Sequence, residues 1–181
     1  REPDTLFRLV KTAEGGQNAG HRPAHFLEIA RESGDFAQLA CSRPWSFTFS
    51  EPGQPAQFLG SLRASAGYFG VLGLSMQKGR EFRPDEDQPG SNQVVILSHR
   101  FWQSQFSGDP DIVGKTLRID GQVNEIVGVA AEAAGDVRTV GSPQIYRPLA
   151  LTPQESTDRV DHAYNRLGRY RPGVTAAQAA T

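Results

Sequence analysis

The chain has 181 residues, of which 38% are hydrophobic and 22% charged, a balance that excludes a disordered polypeptide and supports a packed core. Nineteen Lys and Arg against twenty Asp and Glu leave a formal net charge of -1, so no global field draws the chain to nucleic acid or anionic lipid. A single cysteine, Cys41, excludes an internal disulfide and a four-thiolate metal site, and no apolar run approaches the roughly 20 residues of a membrane span.

In chain order, TLFRLVKTA from Thr5 to Ala13 carries apolar residues on both faces and predicts a strand covered on both sides. The glycines of EGGQNAG predict a loop. Past this, Phe26, Leu27 and Ala30 fall at helical spacing before Gly34, predicting a helix from Pro23 to Ser33. Trp45, Phe47 and Phe49 then alternate with Ser46, Thr48 and Ser50, the period of a half-buried strand. AQFLGSLRAS beyond EPGQP predicts a second strand, pairing with the first as a hairpin with a long loop.

Tyr68, Phe69, Val71 and Leu72 predict a short amphipathic turn of helix between glycines, and the remainder of the stretch to Gly90 reads as loop. QVVILS is a short apolar strand, with Ser98 placed to cap a helix HRFWQSQF that ends at Gly108 and turns Trp102 and Phe106 to one face, toward the core. Asp120-Gly121 between two β-rich runs is a hairpin signal, because both central residues of a type I′ turn need positive φ. Its register sets Ile119 against Gln122 and Arg118 against Val123, so Leu117 and Ile119 share one face and Val123, Val127 and Val129 the other. Either both faces are covered or a bulge near Asn124 or Gly128 restores the phase; burial of both faces is the favoured reading. EAAGDVRTVGSP reads as loop, QIYRPLAL as a strand closed by Pro153, and the final segment as a strand turning at Pro172-Gly173 into a short helix capped by Thr175.

Reactive constellations are hard to assemble from this chain. Ser98 and His99 are neighbours at a helix start and point apart, without a Gly-x-Ser-x-Gly elbow, so capping is the expected role of Ser98. His21 and His25 have Pro23 between them and no accompanying Glu, which argues against a helical zinc pair, and His99 and His162 have no recognisable partners. Asp85, Glu86 and Asp87 form a compact acidic cluster, but contiguous carboxylates cannot all turn to one calcium ion; after Pro84 they read as an acidic first helical turn. EGGQNAG lacks the Gly-Lys-Ser/Thr of a phosphate cradle, and Cys41 in LACSR reads as a small buried hydrophobe. Tyr68, Phe69, Phe101 and Trp102 are mostly explained by core packing. Tyr68 and Phe69, with Asp85, Glu86 and Asp87, are the residues expected at a partner interface; no catalytic residue, cofactor or metal is expected.

The blocks YFGVLG, GREF with PDED, VVILS leading into FWQSQF, GDPDIVGKTLRIDG and IVGVA run in order from Ala64, and RLGRYRPGVTAAQA follows near the end. Together they resemble the extracytoplasmic (periplasmic) core domain of MacB-type ABC transporter permeases. The earlier HFLEIARESGDFAQLACSRPWSFTFSE is similar to the same family with less distinctive residues. Relatives carry membrane helices on either side, so the chain looks like the excised external portion, truncated near its C-terminal end.

The resemblance implies an α+β fold with mixed sheets, a few short helices and two subdomains. Residues 1–64 and 155–181 would form a membrane-proximal, porter-like part, and 65–154, containing the 116–129 hairpin, an inserted part. It implies a non-catalytic extracytoplasmic domain, anchored by membrane helices outside this chain, that couples ATP hydrolysis in a cytoplasmic ATPase subunit or domain to conformational change and to substrate or partner handling. A homodimer in the full-length protein and a periplasmic adaptor are the further partners implied; no nucleic acid is expected. The isolated chain is expected to be monomeric or weakly dimeric. The alternative is a stand-alone extracytoplasmic ligand- or peptide-binding module, and a hydrolase comes third because no convergent acid, base and nucleophile can be assembled.

Overall fold

The computed structural model describes residues 5–8, 11–13, 16–18, 26, 28–30, 37–50, 55–136, 142–158 and 163–174. Its strands are β1 (Leu6–Arg8), β2 (Lys11–Ala13), β3 (Gly16–Asn18), β4 (Ala37–Ser50), β5 (Gln57–Ala64), β6 (Met76–Gly79), β7 (Val94–Leu97), β8 (Thr116–Ile119), β9 (Gln122–Ala130), β10 (Ile145–Pro148) and β11 (Asn165–Tyr170). The helices are α1 (Tyr68–Leu72), α2 (His99–Phe106) and α3 (Pro153–Thr157), with a 3-10 turn at Glu132–Asp136 and helical residues at 26 and 28–30. The fold is α+β. Among the described residues a nine-stranded mixed sheet runs β1-β11-β4-β5-β10-β7-β9-β6, with β8 joining β4 to β9, and β2 and β3 form a separate ribbon.

Because β8 touches both β9 and β4, the pairings β4-β5-β10-β7-β9-β8 close on themselves into a small barrel. Parity decides what fills it. Phe47 and Phe49 of β4, Leu59 of β5, Ile145 of β10, Val95 and Leu97 of β7, Ile126 and Val129 of β9, and Leu117 and Ile119 of β8 form one buried cluster inside. Helix α2 adds Phe101 and Trp102 to that cluster. The outer face carries a second cluster, in which Leu62, Ile96, Val127 and Tyr146 pack under Tyr68, Phe69 and Val71 of α1. A third, smaller cluster holds Phe26, Cys41, Leu149 and Tyr164.

The hairpin has the anticipated register, Ile119 against Gln122 through Thr116 against Glu125, with Asp120 at φ 49 and Gly121 at φ 76. Both devices for its phase problem are present. A register shift between β7 and β9 leaves Val127 unmatched, so Ile126 and Val129, three apart, both face the interior, while Val127 and Ala130 face outward into buried surroundings. Val123, by contrast, is 52% exposed, so coverage of both faces begins only at Ile126.

β4 is the long structural member. It pairs with β11 over Ala37 to Ser42, with β5 over Ser42 to Phe49, and with β8 at Phe49 and Ser50. Pro44 sits where β11 has ended and β8 has not begun. Since Cys41 directs its carbonyl to Ser65 on the β5 side, the even residue Pro44 turns its missing N–H to that open edge, where a strand tolerates proline.

Several expectations are corrected. TLFRLVKTA is split between β1 and β2, which belong to different sheets, and EGGQNAG contributes β3, with Gly16 at its first position, paired to β2. The stretch after α1 contains β6, a polar strand pairing with β9. Pro84 opens hydrogen-bonded turns and no helix, Glu86 N–H bonding to Arg83 O and Asp87 N–H to Pro84 O. Pro153 begins α3, which has a capping box between Thr152 and Glu155. Thr175 and its helix, His21, His25 and His162 lie outside the described residues.

Candidate functional site

One feature of the barrel departs from ordinary core building. On the inward phase of three adjacent strands, Arg43 of β4 stands opposite Arg63 of β5, and Arg63 stands beside Arg147 of β10. Like charges in cross-strand register repel, so such a row needs specific compensation. Glu155, presented by the capped start of α3, supplies part of it. Its Oε1 lies 2.7 Å from Arg63 Nη1 and 3.6 Å from Arg43 Nη1. Burial alone would raise its pKa, but the Arg63 hydrogen bond and the Thr152 N–H outweigh this and push it down to about 2.

Aromatic faces supply more. Arg43 lies 4.7 Å from the Trp45 ring centroid and 5.0 Å from that of Tyr164, and Arg147 lies 5.0 Å from that of Phe47. Arg63 also donates to the carbonyls of Leu149 and Ala150. Arg147 is served least. It is 9% exposed, donates to the Asn92 carbonyl at 3.3 Å, and its buried Nε has no acceptor. Burial pushes its pKa down and Arg63 adds to this, against a smaller upward pull from Asp120. Arg63 and Arg147 line a groove of about 440 Å³ at one mouth of the barrel, with Trp45, Phe47, Asn92, Gln122, Thr152 and Glu155 among its walls.

Asp120 closes the barrel beside this mouth. Its N–H donates to Thr48 O and its Oδ1 accepts from Thr48 N–H, both at 2.8 Å. A turn residue thereby stands in for a strand and ties the hairpin to β4.

The five residues expected at a partner interface are placed as follows. Tyr68 and Phe69 are 4% and 1% exposed, packed edge to face with each other, and Phe69 packs likewise on Tyr146. Glu86 is buried between arginines, taking two bonds from Arg80 at 2.7 and 2.8 Å and one from the Arg83 N–H. Asp87 accepts from the N–H groups of Ala66 and Ala150, joining two loops. Asp85 alone of the five shows most of its side chain to solvent, beside Arg83. The structure brings the three acids to one turn, where Asp85 and Glu86 share Arg83 while Asp87 turns to the backbone of Ala66 and Ala150.

Ser98 caps α2, accepting from the Phe101 N–H, while His99 leans on the Trp102 ring and Gln103. Phe101 and Trp102 are core. Cys41 is fully buried, and burial pushes its thiol up to about 12, the state of a packing residue and not a nucleophile. The arginine row escaped sequence reasoning, although one signal was there. Arg43 continues the phase of Trp45, Phe47 and Phe49, and Arg147 that of Ile145, both inward positions where an arginine is unusual.

The described residues form a small closed barrel extended by a long strand, with charged side chains held in internal ion pairs. The sequence matches the MacB-like periplasmic core domain family over residues 2–181. The chain belongs to that family and is a periplasmic-type domain of a MacB-like ABC transporter permease. Similar solved structures include a domain of a protein assigned as a permease from Porphyromonas gingivalis (TM-score 0.69, 17% identity, 95% of this chain and 77% of that one). The periplasmic region of MacB from Actinobacillus actinomycetemcomitans has TM-score 0.67 and 16% identity over 98% of this chain and 79% of that one. The extracellular domain of the noncanonic ABC-type transporter YknZ from Gram-positive bacteria has TM-score 0.61 and 21% identity over 97% and 85%. No curated protein sequence matches. No helix among the described residues is long and apolar enough to cross a membrane.

Proposed function

We propose that this domain is non-catalytic and works as a rigid external lever: it couples ATP hydrolysis by a cytoplasmic subunit or domain, through flanking membrane helices, to conformational change and partner or substrate handling outside the membrane. The observation that carries this is the continuity of the sheet. β4 runs from the β11–β1 layer into the barrel, and Asp120 locks the barrel to it, so displacement at one end is passed to the other without a loop between.

The division into a membrane-proximal part (1–64 and 155–181) and an inserted part (65–154) belongs to the same reading. What supports it is the sheet order, in which β1, β11, β4 and β5 are neighbours, as are β10, β7, β9 and β6. The two sets meet at the parallel β5–β10 pair and at β8. A homodimer and an external adaptor are the partners this arrangement would serve, with Asp85 as the acidic residue positioned to meet one.

The test is to loosen the clip. In the full-length transporter, Asp120→Ala is expected to leave ATP hydrolysis intact while complementation of a deletion strain falls, with Asp120→Asn, which retains an acceptor, restoring it. Full complementation by the alanine variant would count against a lever.

A further inference from the structure

Among the described residues at the barrel mouth, Arg147 is the arginine that acids serve least. Glu155 bonds Arg63 and lies near Arg43, whereas among the described residues Arg147 forms no ion pair, and the acid that pulls on it, Asp120, is hydrogen-bonded to Thr48. A guanidinium offers five N–H donors, and among the described residues the Asn92 carbonyl is the one acceptor that Arg147 meets. Leaving a buried cation so poorly served costs free energy, which a matching acceptor would recover. Phe47 fixes the guanidinium from one side, and the half-exposed Trp45 offers an apolar wall in the same groove. The groove, about 440 Å³, falls within the roughly 300–1,000 Å³ typical of small-ligand sites, and a barrel mouth is a common place for them.

We propose that this mouth is a binding site for a carboxylate carrying an apolar flank, the carboxylate seated on Arg147 and the flank against Trp45. The carboxylate belongs either to a free organic acid or to an acidic side chain of a peptide, since both present the same planar anion to a guanidinium fork. The site does not depend on the lever reading, because it needs no membrane partner to be occupied.

The test uses the fluorescence of the 181-residue chain, whose two tryptophans are Trp45 in the groove and the buried Trp102. The free-acid probe is 3-phenylpropionate and the peptide probe is acetyl-Glu-Phe-amide; 3-phenylpropionamide and acetyl-Gln-Phe-amide are their neutral counterparts. At least one acid should bind saturably below about 10 mM and at least tenfold tighter than its neutral counterpart, and which acid binds identifies the source. Arg147→Met should abolish that preference with the thermal midpoint unchanged or raised, and Arg147→Lys should retain part of it, serving also if the methionine variant does not fold. Arg100→Met, an exposed arginine outside the groove, should bind as the parent does. Failure of both acids to saturate, equal binding of acid and neutral forms, or undiminished preference in Arg147→Met would overturn the proposal.

Discussion

Glu86 shows how this chain uses charge. It is 4% exposed, yet it is ionised, because bonds from Arg80 outweigh the desolvation that would raise its pKa, and the Arg83 N–H adds to them. Glu155 is held the same way by Arg63 and Thr152. Both folded pKa values lie below the unfolded value of about 4.3, so the stability these groups contribute is present above that pH and is lost as pH falls through the folded values, about 2 for Glu155. The urea midpoint is therefore expected to climb between roughly pH 2 and 5 and then level off. Glu86→Gln should flatten part of that climb and cost about 1–2 kcal/mol at neutral pH, a figure kept small because Arg80 is partly solvated. A climb of the same height in Glu86→Gln would show that other groups carry the pH dependence.

At the scale of elements, close backbone approach matters more than propensity. Gly128 lies in the bulge that resets the phase of β9, and a Cβ there would meet Arg80 O at 2.6 Å and Lys78 O at 3.2 Å. Gly121, in the hairpin turn at φ 76, has open space around it. Gly128→Ala is expected to cost about 1–3 kcal/mol in urea unfolding, because backbone must move, and to speed amide exchange across β6 and β9. Gly121→Ala should cost about 1 kcal/mol and leave exchange in β6 unchanged. Equal effects of the two would show that the bulge is not a packed junction.

Elements with a local chemical signature were legible in the sequence: the Ser98 cap, the Asp120-Gly121 turn, and α1 between Gly67 and Gly73, both with positive φ. β6 was not, because MQKG has no apolar period and exists as a strand through its pairing with β9. β3 was hidden for a similar reason, GQN being glycine and polar, whereas the β2 residues fall inside the segment predicted as a strand. Within the arginine row, Arg43 and Arg63 face each other across the β4–β5 hairpin, but Arg147 joins them only through the parallel β5–β10 pairing, and no short-range pattern encodes a long-range parallel neighbour. A run of adjacent acids does not distinguish one that meets solvent, such as Asp85, from one that organises a buried turn, such as Glu86.

For the molecule as a whole, the closed barrel and the long strand β4 lead to one mechanical statement. Two ends of the domain should keep their separation while the domain moves with its transporter. Gln38, on the part of β4 paired with β11, and Val123, beside the hairpin turn, are both exposed and lie at opposite ends of this path, whereas Cys41 is buried and would stay unlabelled. Spin labels at Gln38→Cys and Val123→Cys in the full-length transporter, read by pulsed electron resonance without nucleotide and with trapped ATP, test the claim directly. The account predicts superimposable distance distributions within the domain, together with a changed distance from Val123→Cys to a label on the cytoplasmic ATPase. A nucleotide-dependent shift between Gln38→Cys and Val123→Cys, marking a hinge inside the sheet, would contradict it.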